Sequence, residues 1–193
     1  MFEFIQNLFK TTFSILLRPP GARDERGLLA TCIKCGRCME VCPYQSIFIA
    51  PYSQWSLYGT PLIDPLKKPC YLCMKCPEVC PTGALKPVTK EKAGMGIAVI
   101  IETTCLSYQE TICNLCYRHC PLKGKAITLD EDLSPVIINE GCVGCGVCFY
   151  ICPTQPRSIS LKTGRKWRWN SIKTDITINP TVERYRLPFC YWW

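Results

Sequence analysis

Cysteines spaced two and three residues apart dominate this 193-residue chain and decide how it can fold. Sixteen of its seventeen cysteines fall into four groups, which we call motifs I to IV in chain order. They are Cys32, Cys35, Cys38 and Cys42; Cys70, Cys73, Cys76 and Cys80; Cys105, Cys113, Cys116 and Cys120; and Cys142, Cys145, Cys148 and Cys152. The last cysteine of every motif is followed by a proline.

Motifs I, II and IV read C-x2-C-x2-C-x3-C, followed by proline, which is the run that binds [4Fe–4S] clusters in bacterial ferredoxins. In such a run three closely spaced thiolates bind one cluster. The fourth thiolate, beyond the turn, reaches a different cluster. The sequence therefore predicts four [4Fe–4S] clusters held by all sixteen cysteines of the motifs. It offers no set of residues typical of a catalytic site, so we expect an electron carrier and not an enzyme.

Motif III departs from this pattern, because its compact part supplies only Cys113, Cys116 and Cys120. Cys105, eight residues before Cys113, is the expected source of the missing ligand. The alternative is that Cys105 is a buried free thiol. Cys190 has no companion cysteine nearby, which favours a thiol that binds no cluster.

Disulfides and zinc are the other uses of a cysteine-rich sequence. Sixteen cysteines at such short spacing would give strained, crowded disulfides. Structural zinc sites prefer two cysteine pairs separated by a longer insert, often with histidine, and His119 is the one histidine of the chain. Both alternatives are therefore much weaker than the cluster prediction.

The predicted clusters also account for the formal net charge of +8. A [4Fe–4S] core with four thiolates carries about −2, so four clusters would bring the protein close to neutrality. Basic residues are interleaved with the motifs, as expected if they compensate this charge: Lys34, Arg37, Lys75, Arg118 and Lys123. The basic balance therefore does not indicate a nucleic-acid partner. Arg118 and His119, inside motif III, are candidates either for tuning one cluster or for plain surface residues.

We expect three parts: an amphipathic docking or anchor segment over residues 1–23, a four-cluster domain over 24–162, and a basic, aromatic docking tail over 163–193. Within the domain, short apolar or alternating runs predict strands, and the cysteine runs predict loops and single helical turns. The predicted strands are Ser46–Ala50, Gly96–Ile101, Ala126–Leu129, Pro135–Ile138 and Ser158–Leu161. This indicates an α+β, loop-rich fold of two ferredoxin-like modules with short β-hairpins and small helices.

Residues 1–18 place Phe2, Ile5, Phe9, Phe13 and Leu16 at helical spacing. Such a stripe would suit a partner's groove or a membrane interface, or the protein's own core. The segment is too short and polar to span a bilayer.

Several segments of the chain resemble one known family, the MauM/NapG family of four-cluster ferredoxin-type proteins, and the resemblance includes residues other than the cysteines. The resemblance covers about residues 17–165. It rests on these segments: Arg18-Pro-Pro-Gly-Ala22, Cys32-Ile-Lys-Cys-Gly-Arg-Cys38, Cys80-Pro-Thr-Gly-Ala-Leu85, Met95-Gly-Ile-Ala-Val99, Cys105-Leu-Ser-Tyr-Gln109, Cys113-Asn-Leu-Cys-Tyr-Arg-His-Cys-Pro121, Ala126-Ile-Thr-Leu129 and Cys142-Val-Gly-Cys-Gly-Val-Cys148.

The resemblance implies membership in the wider group of electron-transfer (beta) subunits that serve molybdopterin oxidoreductases. It supports Cys105 as a ligand, because an early cysteine in motif III is normal for the family. It also favours a nested pairing of motifs, in which Cys152 completes the cluster of motif I and Cys42 completes that of motif IV. Two features differ from the family: a shorter gap between Cys73 and Cys76, and the lack of a twin-arginine export signal.

The expected function is therefore one-electron relay within a membrane-associated oxidoreductase complex, as in anaerobic respiration. The expected partners are membrane-embedded or soluble redox subunits, one of them reactive with quinone or carrying haem. Membrane contact would come through such a partner or through residues 1–18. The lack of an export signal favours the cytoplasmic side of the membrane, and analogy with the family favours the periplasmic side. The alternatives are a structural or redox-sensing iron–sulfur module and a freely diffusing polyferredoxin.

Overall fold

The fold is known from a computed structural model, which describes residues 16–163. Its α-helices are all short: α1 (Glu25–Thr31), α2 (Arg37–Glu40), α3 (Lys75–Glu78), α4 (Leu115–His119) and α5 (Val147–Ile151). Its strands are β1 (Ile47–Ile49), β2 (Pro61–Ile63), β3 (Gly96–Ile100), β4 (Ile127–Leu129), β5 (Pro135–Ile137) and β6 (Ile159–Thr163). The described part is thus mixed α/β and rich in loops, as the sequence predicts.

The strands form separate two-stranded antiparallel ribbons, and their pairing divides the described chain into two similar halves. In the first half β1 pairs with β2 between motifs I and II, and a bridge joins Ala22 to Leu85 outside them. In the second half β4 pairs with β5 between motifs III and IV, and β3 pairs with β6 outside them. Each half therefore encloses two consecutive cysteine motifs between an inner and an outer antiparallel pairing.

A single helical turn lies inside each motif, as predicted. The residues just before α2, α3 and α5 adopt left-handed backbone conformations, with φ of +78° at Gly36, +60° at Met74 and +85° at Gly146. This reversal lets the chain curl around the first cysteines before the helical turn begins. At Gly146 a side chain would also meet Pro65, whose Cβ lies 2.6 Å from the position that a Cβ would take. Glycine is required there by both conformation and space.

The core runs through both halves and is lined by aliphatic side chains and by the cysteines themselves. Leu17, Leu28, Leu62, Ile63 and Leu72 are fully buried, and Cys70, Cys76, Cys116 and Cys145 belong to the same buried cluster. The motifs are therefore part of the interior. Iron–sulfur clusters bound there would take the place of the larger apolar core that this chain lacks.

Residues 16–23, which the sequence analysis grouped with the N-terminal docking segment, pack against this core. Leu17 is buried and forms a bridge with Ile63, and Arg18 is only 4% exposed. Arg18 donates hydrogen bonds to the Thr60 hydroxyl at 2.9 Å and to the Pro61 carbonyl at 2.8 Å, and it pairs with Glu25. Residues 1–15 and 164–193 lie outside the described residues, and with them the apolar stripe except for Leu16, the aromatic tail and Cys190.

Candidate metal centres

Thiols from two motifs line each of three enclosed cavities. The first cavity is lined by Cys32, Cys35 and Cys38 of motif I together with Cys80 of motif II. We call these four residues site 1. The strand ribbon β1–β2 supplies Ile49 and Pro61 to its wall, and the turn after motif II supplies Ala84 and Leu85.

Two cavities in the second half repeat this arrangement. One is lined by Cys142, Cys145 and Cys148 of motif IV with Cys120 of motif III, which we call site 3. The other is lined by Cys105, Cys113 and Cys116 of motif III with Cys152 of motif IV, which we call site 4. The structure thus brings Cys105 to the same cavity as the rest of its motif, where the missing ligand was expected.

The remaining thiols, Cys70, Cys73, Cys76 and Cys42, form site 2. Burial is the main cause that raises the pKa of Cys70, to about 11, and the nearby thiolates of Cys73 and Cys42 add to it. The pKa of Cys76 is also raised, mainly by burial and then by Cys70, Cys73, Cys38 and Cys42. Cys42 therefore lies beside motif II, in the position that Cys80 takes beside motif I.

The nested pairing of motifs is wrong. Cys152 lies with motif III and not with motif I, and Cys42 lies with motif II and not with motif IV. The reason is the strand pairing, because the hairpins β1–β2 and β4–β5 fold each motif back onto the next one in the chain. The pairing is sequential, I with II and III with IV.

Burial and hydrogen bonds act in opposite directions on these thiols. Burial raises the pKa of Cys38 and Cys116 to about 11 and of Cys145 to about 12. At Cys80 burial also acts upward, but hydrogen bonds from the Leu85 backbone and from Thr82 outweigh it and lower the pKa. Backbone N–H groups face three of the sulfurs at 3.4 Å: Ser46 at Cys42, Leu85 at Cys80 and Ala98 at Cys142.

Neighbouring sites interact, and they do so in one order. Burial is the main cause of the raised pKa of Cys76 in site 2, and the thiolate of Cys38 in site 1 adds to it. In the same way, the thiolate of Cys70 in site 2 adds to the raised pKa of Cys145 in site 3. The thiolate of Cys116 in site 4 adds to the raised pKa of Cys148 in site 3. Sites 1, 2, 3 and 4 therefore follow one another through the protein.

The donor sets fit [4Fe–4S] clusters better than the alternatives. The sixteen motif cysteines are all free thiols, so in residues 16–163 none is joined in a disulfide. Within that same range no three Cys, His, Asp or Glu side chains converge on one point, as they must around a zinc ion with Zn–S distances near ~2.3 Å. Sites 1, 3 and 4 instead each set four thiols around a wider space. A cubane needs this spread, because each of its iron corners takes its own thiolate.

Arg118 and His119 are exposed on α4. The His119 ring nitrogen Nδ1 contacts the carbonyl of Leu115 at 2.9 Å, within its own helix. Two functional candidates that the sequence analysis did not single out are Thr82 and Thr154, whose hydroxyls contact the sulfurs of Cys80 and Cys152. Their signal in the sequence was a threonine directly after the proline of motifs II and IV.

Comparison with known proteins agrees with this geometry. A family model described as a 4Fe-4S dicluster domain matches residues 31–84 and 111–155, about half of the chain. The first match contains motifs I and II and the second contains the compact part of motif III with motif IV, so each match falls on one half of the fold. Two dicluster domains hold four [4Fe–4S] clusters.

Curated relatives extend the match beyond the cysteines. The methylamine utilization ferredoxin-type protein MauM of Paracoccus denitrificans is 40% identical over 149 residues, 70% of this chain and 66% of that protein. The ferredoxin-type protein NapG of Escherichia coli is 33% identical over 162 residues, 76% of this chain and 70% of that protein. The chain belongs to the MauM/NapG family of ferredoxin-type proteins. It spans just under two thirds of the length of the Paracoccus MauM.

As a MauM/NapG family member the protein is a ferredoxin-type iron–sulfur electron-transfer protein with four [4Fe–4S] clusters. Among residues 16–163, no helix has the length and apolar character needed to cross a bilayer.

Proposed function

We propose that the protein is a relay subunit that passes single electrons through four clusters held by the sixteen motif cysteines. Site 1 comprises Cys32, Cys35, Cys38 and Cys80, and site 2 comprises Cys70, Cys73, Cys76 and Cys42. Site 3 comprises Cys142, Cys145, Cys148 and Cys120, and site 4 comprises Cys105, Cys113, Cys116 and Cys152. When bound, a [4Fe–4S] cluster supplies reversible one-electron oxidation and reduction.

Each half of the fold is proposed to be a ferredoxin-like module that carries two clusters. The support is the repeated plan of two motifs between an inner and an outer antiparallel pairing. The last cysteine of each motif crosses to its neighbour's site, as in two-cluster ferredoxins.

The observation that carries the relay is the contact between the halves. The backbone N–H of Cys70 donates a hydrogen bond to the carbonyl of Cys145 at 3.0 Å, so a residue of site 2 touches a residue of site 3. This contact is part of a core that runs through both halves. With it, the sites form one series with sites 1 and 4 at the ends.

The partners are proposed to be redox subunits of one membrane-associated complex, one of them reactive with quinone or carrying haem. The support is family membership and the serial order of the sites, which suits transfer between a donor at one end and an acceptor at the other. The protein itself is proposed to catalyse no reaction, and no nucleic-acid partner is proposed.

Anaerobic purification of the full chain tests the proposal. We expect about sixteen irons and sixteen inorganic sulfides per chain, four per cluster. Stepwise reduction followed by EPR should show four reversibly reducible centres with magnetic coupling between neighbours. Colourless protein, or centres that cannot be reduced reversibly, would exclude a relay and leave at most a structural role.

Single substitutions test the ligand sets. Cys35→Ser and Cys80→Ser should alter the same EPR signal, because both residues belong to site 1, although they lie in different motifs. Cys152→Ser should alter a different signal, the one that Cys113→Ser also alters. If Cys152→Ser changed the signal of Cys35→Ser instead, the sequential ligand sets would be incorrect.

A further inference from the structure

The cysteines that end the four motifs differ in the residue two positions later. Motifs I and III have Tyr44 and Leu122 there, whereas motifs II and IV have Thr82 and Thr154. The cysteines followed by threonine, Cys80 and Cys152, line sites 1 and 4. A threonine thus stands two positions after the crossing cysteine only at the two ends of the series.

At site 4 the hydroxyl of Thr154 has two neighbours. Its oxygen lies 3.2 Å from the sulfur of Cys152 and 2.8 Å from the hydroxyl oxygen of Ser158. It also accepts a hydrogen bond from the backbone N–H of Ser158 at 2.8 Å. The remaining question is where the hydroxyl proton of Thr154 points.

Counting protons answers that question. Ser158 has one hydroxyl proton, which it donates to the carbonyl of Thr104 at 2.6 Å. The proton of Thr154 can therefore go to the Ser158 oxygen or to the Cys152 sulfur. A ligating thiolate is negatively charged and accepts only, and hydrogen bonds to charged acceptors are about twice as strong as neutral ones. With a cluster bound, the sulfur is the better acceptor.

The surroundings hold this hydroxyl in place. Ser158 is 1% exposed, so water does not compete for its hydrogen bonds. Its acceptor, Thr104, directly precedes Cys105, another residue of site 4. The contacts Cys152–Thr154–Ser158–Thr104 thus connect two sides of one site.

Site 1 has a weaker version of the same feature. The Thr82 oxygen lies 3.8 Å from the sulfur of Cys80, which also faces the Leu85 N–H at 3.4 Å. The longer distance predicts a smaller effect of this hydroxyl than at site 4.

We infer that Thr154 tunes the reduction potential of site 4, and Thr82 to a smaller extent that of site 1, by donating a hydroxyl hydrogen bond to a ligating sulfur. Reduction adds negative charge that the sulfurs share, so a donor to sulfur favours the reduced state and raises the potential. The inference rests on the proposed ligand sets. It means that the potentials at the ends of the relay can be adjusted by residues that bind no iron.

The test compares Thr154→Val, which keeps the shape but removes the hydroxyl, with Thr154→Ser, which keeps the hydroxyl. Both are made in the full chain, loaded anaerobically, and titrated potentiometrically with EPR detection. We expect Thr154→Val to lower the equilibrium constant for one-electron reduction of one cluster by about threefold to tenfold. This is about 28 to 59 mV, at ~59 mV per tenfold. Thr154→Ser should leave that cluster near its original potential.

Two further variants complete the design. Thr82→Val should shift a different cluster in the same direction by about twofold to threefold, and Thr103→Val, at an exposed position, should shift none. The inference is overturned if iron-replete Thr154→Val is unshifted, or if Thr154→Ser shifts as far as Thr154→Val. If Thr154→Val does not load iron, Thr82→Val decides, and an unshifted cluster there overturns the inference. Iron content and reversible reduction of the unmodified chain test the proposed function separately.

Discussion

The amide of Cys70 donates a 3.0 Å hydrogen bond to the carbonyl of Cys145, and this contact joins two cluster sites that belong to different halves of the chain. Next to it, the N–H groups of Met95 and Gly96 donate to the carbonyl of Val143 at 3.0 and 3.1 Å. These two bonds lie within the second half and hold motif IV against strand β3. The hydrogen bond between the halves, from Cys70 to Cys145, is made of backbone groups, which a change of side chain cannot remove directly. It can be disturbed by forcing the backbone next to Cys145 to move.

Gly144 is the position where such a change can be made. Its φ is +67°, and a Cβ there would lie 2.3 to 2.5 Å from backbone atoms of Gly96. We expect Gly144→Ala to cost about 1–3 kcal/mol for the left-handed conformation and about 1–3 kcal/mol more for the overlap. At ~2–4 °C per kcal/mol for a chain of this size, the overlap alone should lower the melting temperature of the loaded protein by about 2–12 °C.

Gly124→Ala is the matched control. Gly124 has a φ of +79°, but a Cβ there would meet nothing within 4 Å. This variant should show the conformational cost without the overlap, and its EPR spectrum should keep the coupling between middle clusters. Equal melting temperatures for the two variants would show that the approach of Gly144 to Gly96 does not matter for stability.

The buried ion pair of Arg18 makes a second prediction. Arg18 is 4% exposed and its Nε lies 3.0 Å from a carboxylate oxygen of Glu25. Arg18→Met would leave this carboxylate and the Pro61 carbonyl without their donor, at a cost of about 3–5 kcal/mol. The surface pair of Lys125 and Glu91, whose side chains are 70% and 50% exposed, is the control, since Lys125→Ala should cost about 0–1 kcal/mol. Thermal melting at one fixed scan rate measures both, and similar losses would contradict the difference in burial.

Site 1 should be the first to lose iron. Of the sixteen motif cysteines, only Cys35 is exposed, and the others are buried or half-buried. Treatment with ferricyanide and a chelator should therefore release about a quarter of the iron, the content of one cluster in four, in a fast phase that is followed by slower phases. The fast phase should be missing in Cys80→Ser, which damages site 1, and should persist in Cys145→Ser, which damages site 3. A fast phase that persists in Cys80→Ser would assign it to another site.

The sequence predicted the local structure well because the local signals are strong. All five predicted strands are present, with ends that differ by two residues or fewer, and a helical turn lies in every motif. Strand β2 (Pro61–Ile63) was not predicted, because it is only three residues long and begins with proline. Helix α1 (Glu25–Thr31) was also missed, since it has one buried residue, Leu28, and no apolar stripe.

The pairing of motifs could not be predicted from spacing. Both nested and sequential pairing let the fourth cysteine of a motif reach another site, so the cysteines alone do not distinguish them. The choice is made by the hairpins β1–β2 and β4–β5, and the first of them could not be foreseen because β2 was not predicted. The hydroxyl of Thr154 was missed for a related reason, because its direction depends on Ser158 and on the carbonyl of Thr104.

Retention of the clusters should depend on pH through the buried thiols. Burial raises the pKa of Cys70 and Cys116 to about 11 and of Cys145 to about 12, from a usual value of 9.0. A raised thiol pKa stabilises the cluster-free fold below about pH 9, and this advantage is lost as the pH rises toward 11 to 12. Iron binding requires thiolate, so each proton released changes iron affinity by about tenfold per pH unit.

We therefore expect the clusters to be held more tightly at about pH 9 than at about pH 6. The measurement is the iron retained after anaerobic incubation with a fixed concentration of chelator, whose own pH dependence is calibrated with free iron. Cys80, whose pKa is lowered by hydrogen bonds from Leu85 and Thr82, should release a smaller share of these protons than the buried thiols. Iron retention that stays constant across this range, after the chelator is corrected for, would mean that the thiols are already ionised before iron binds.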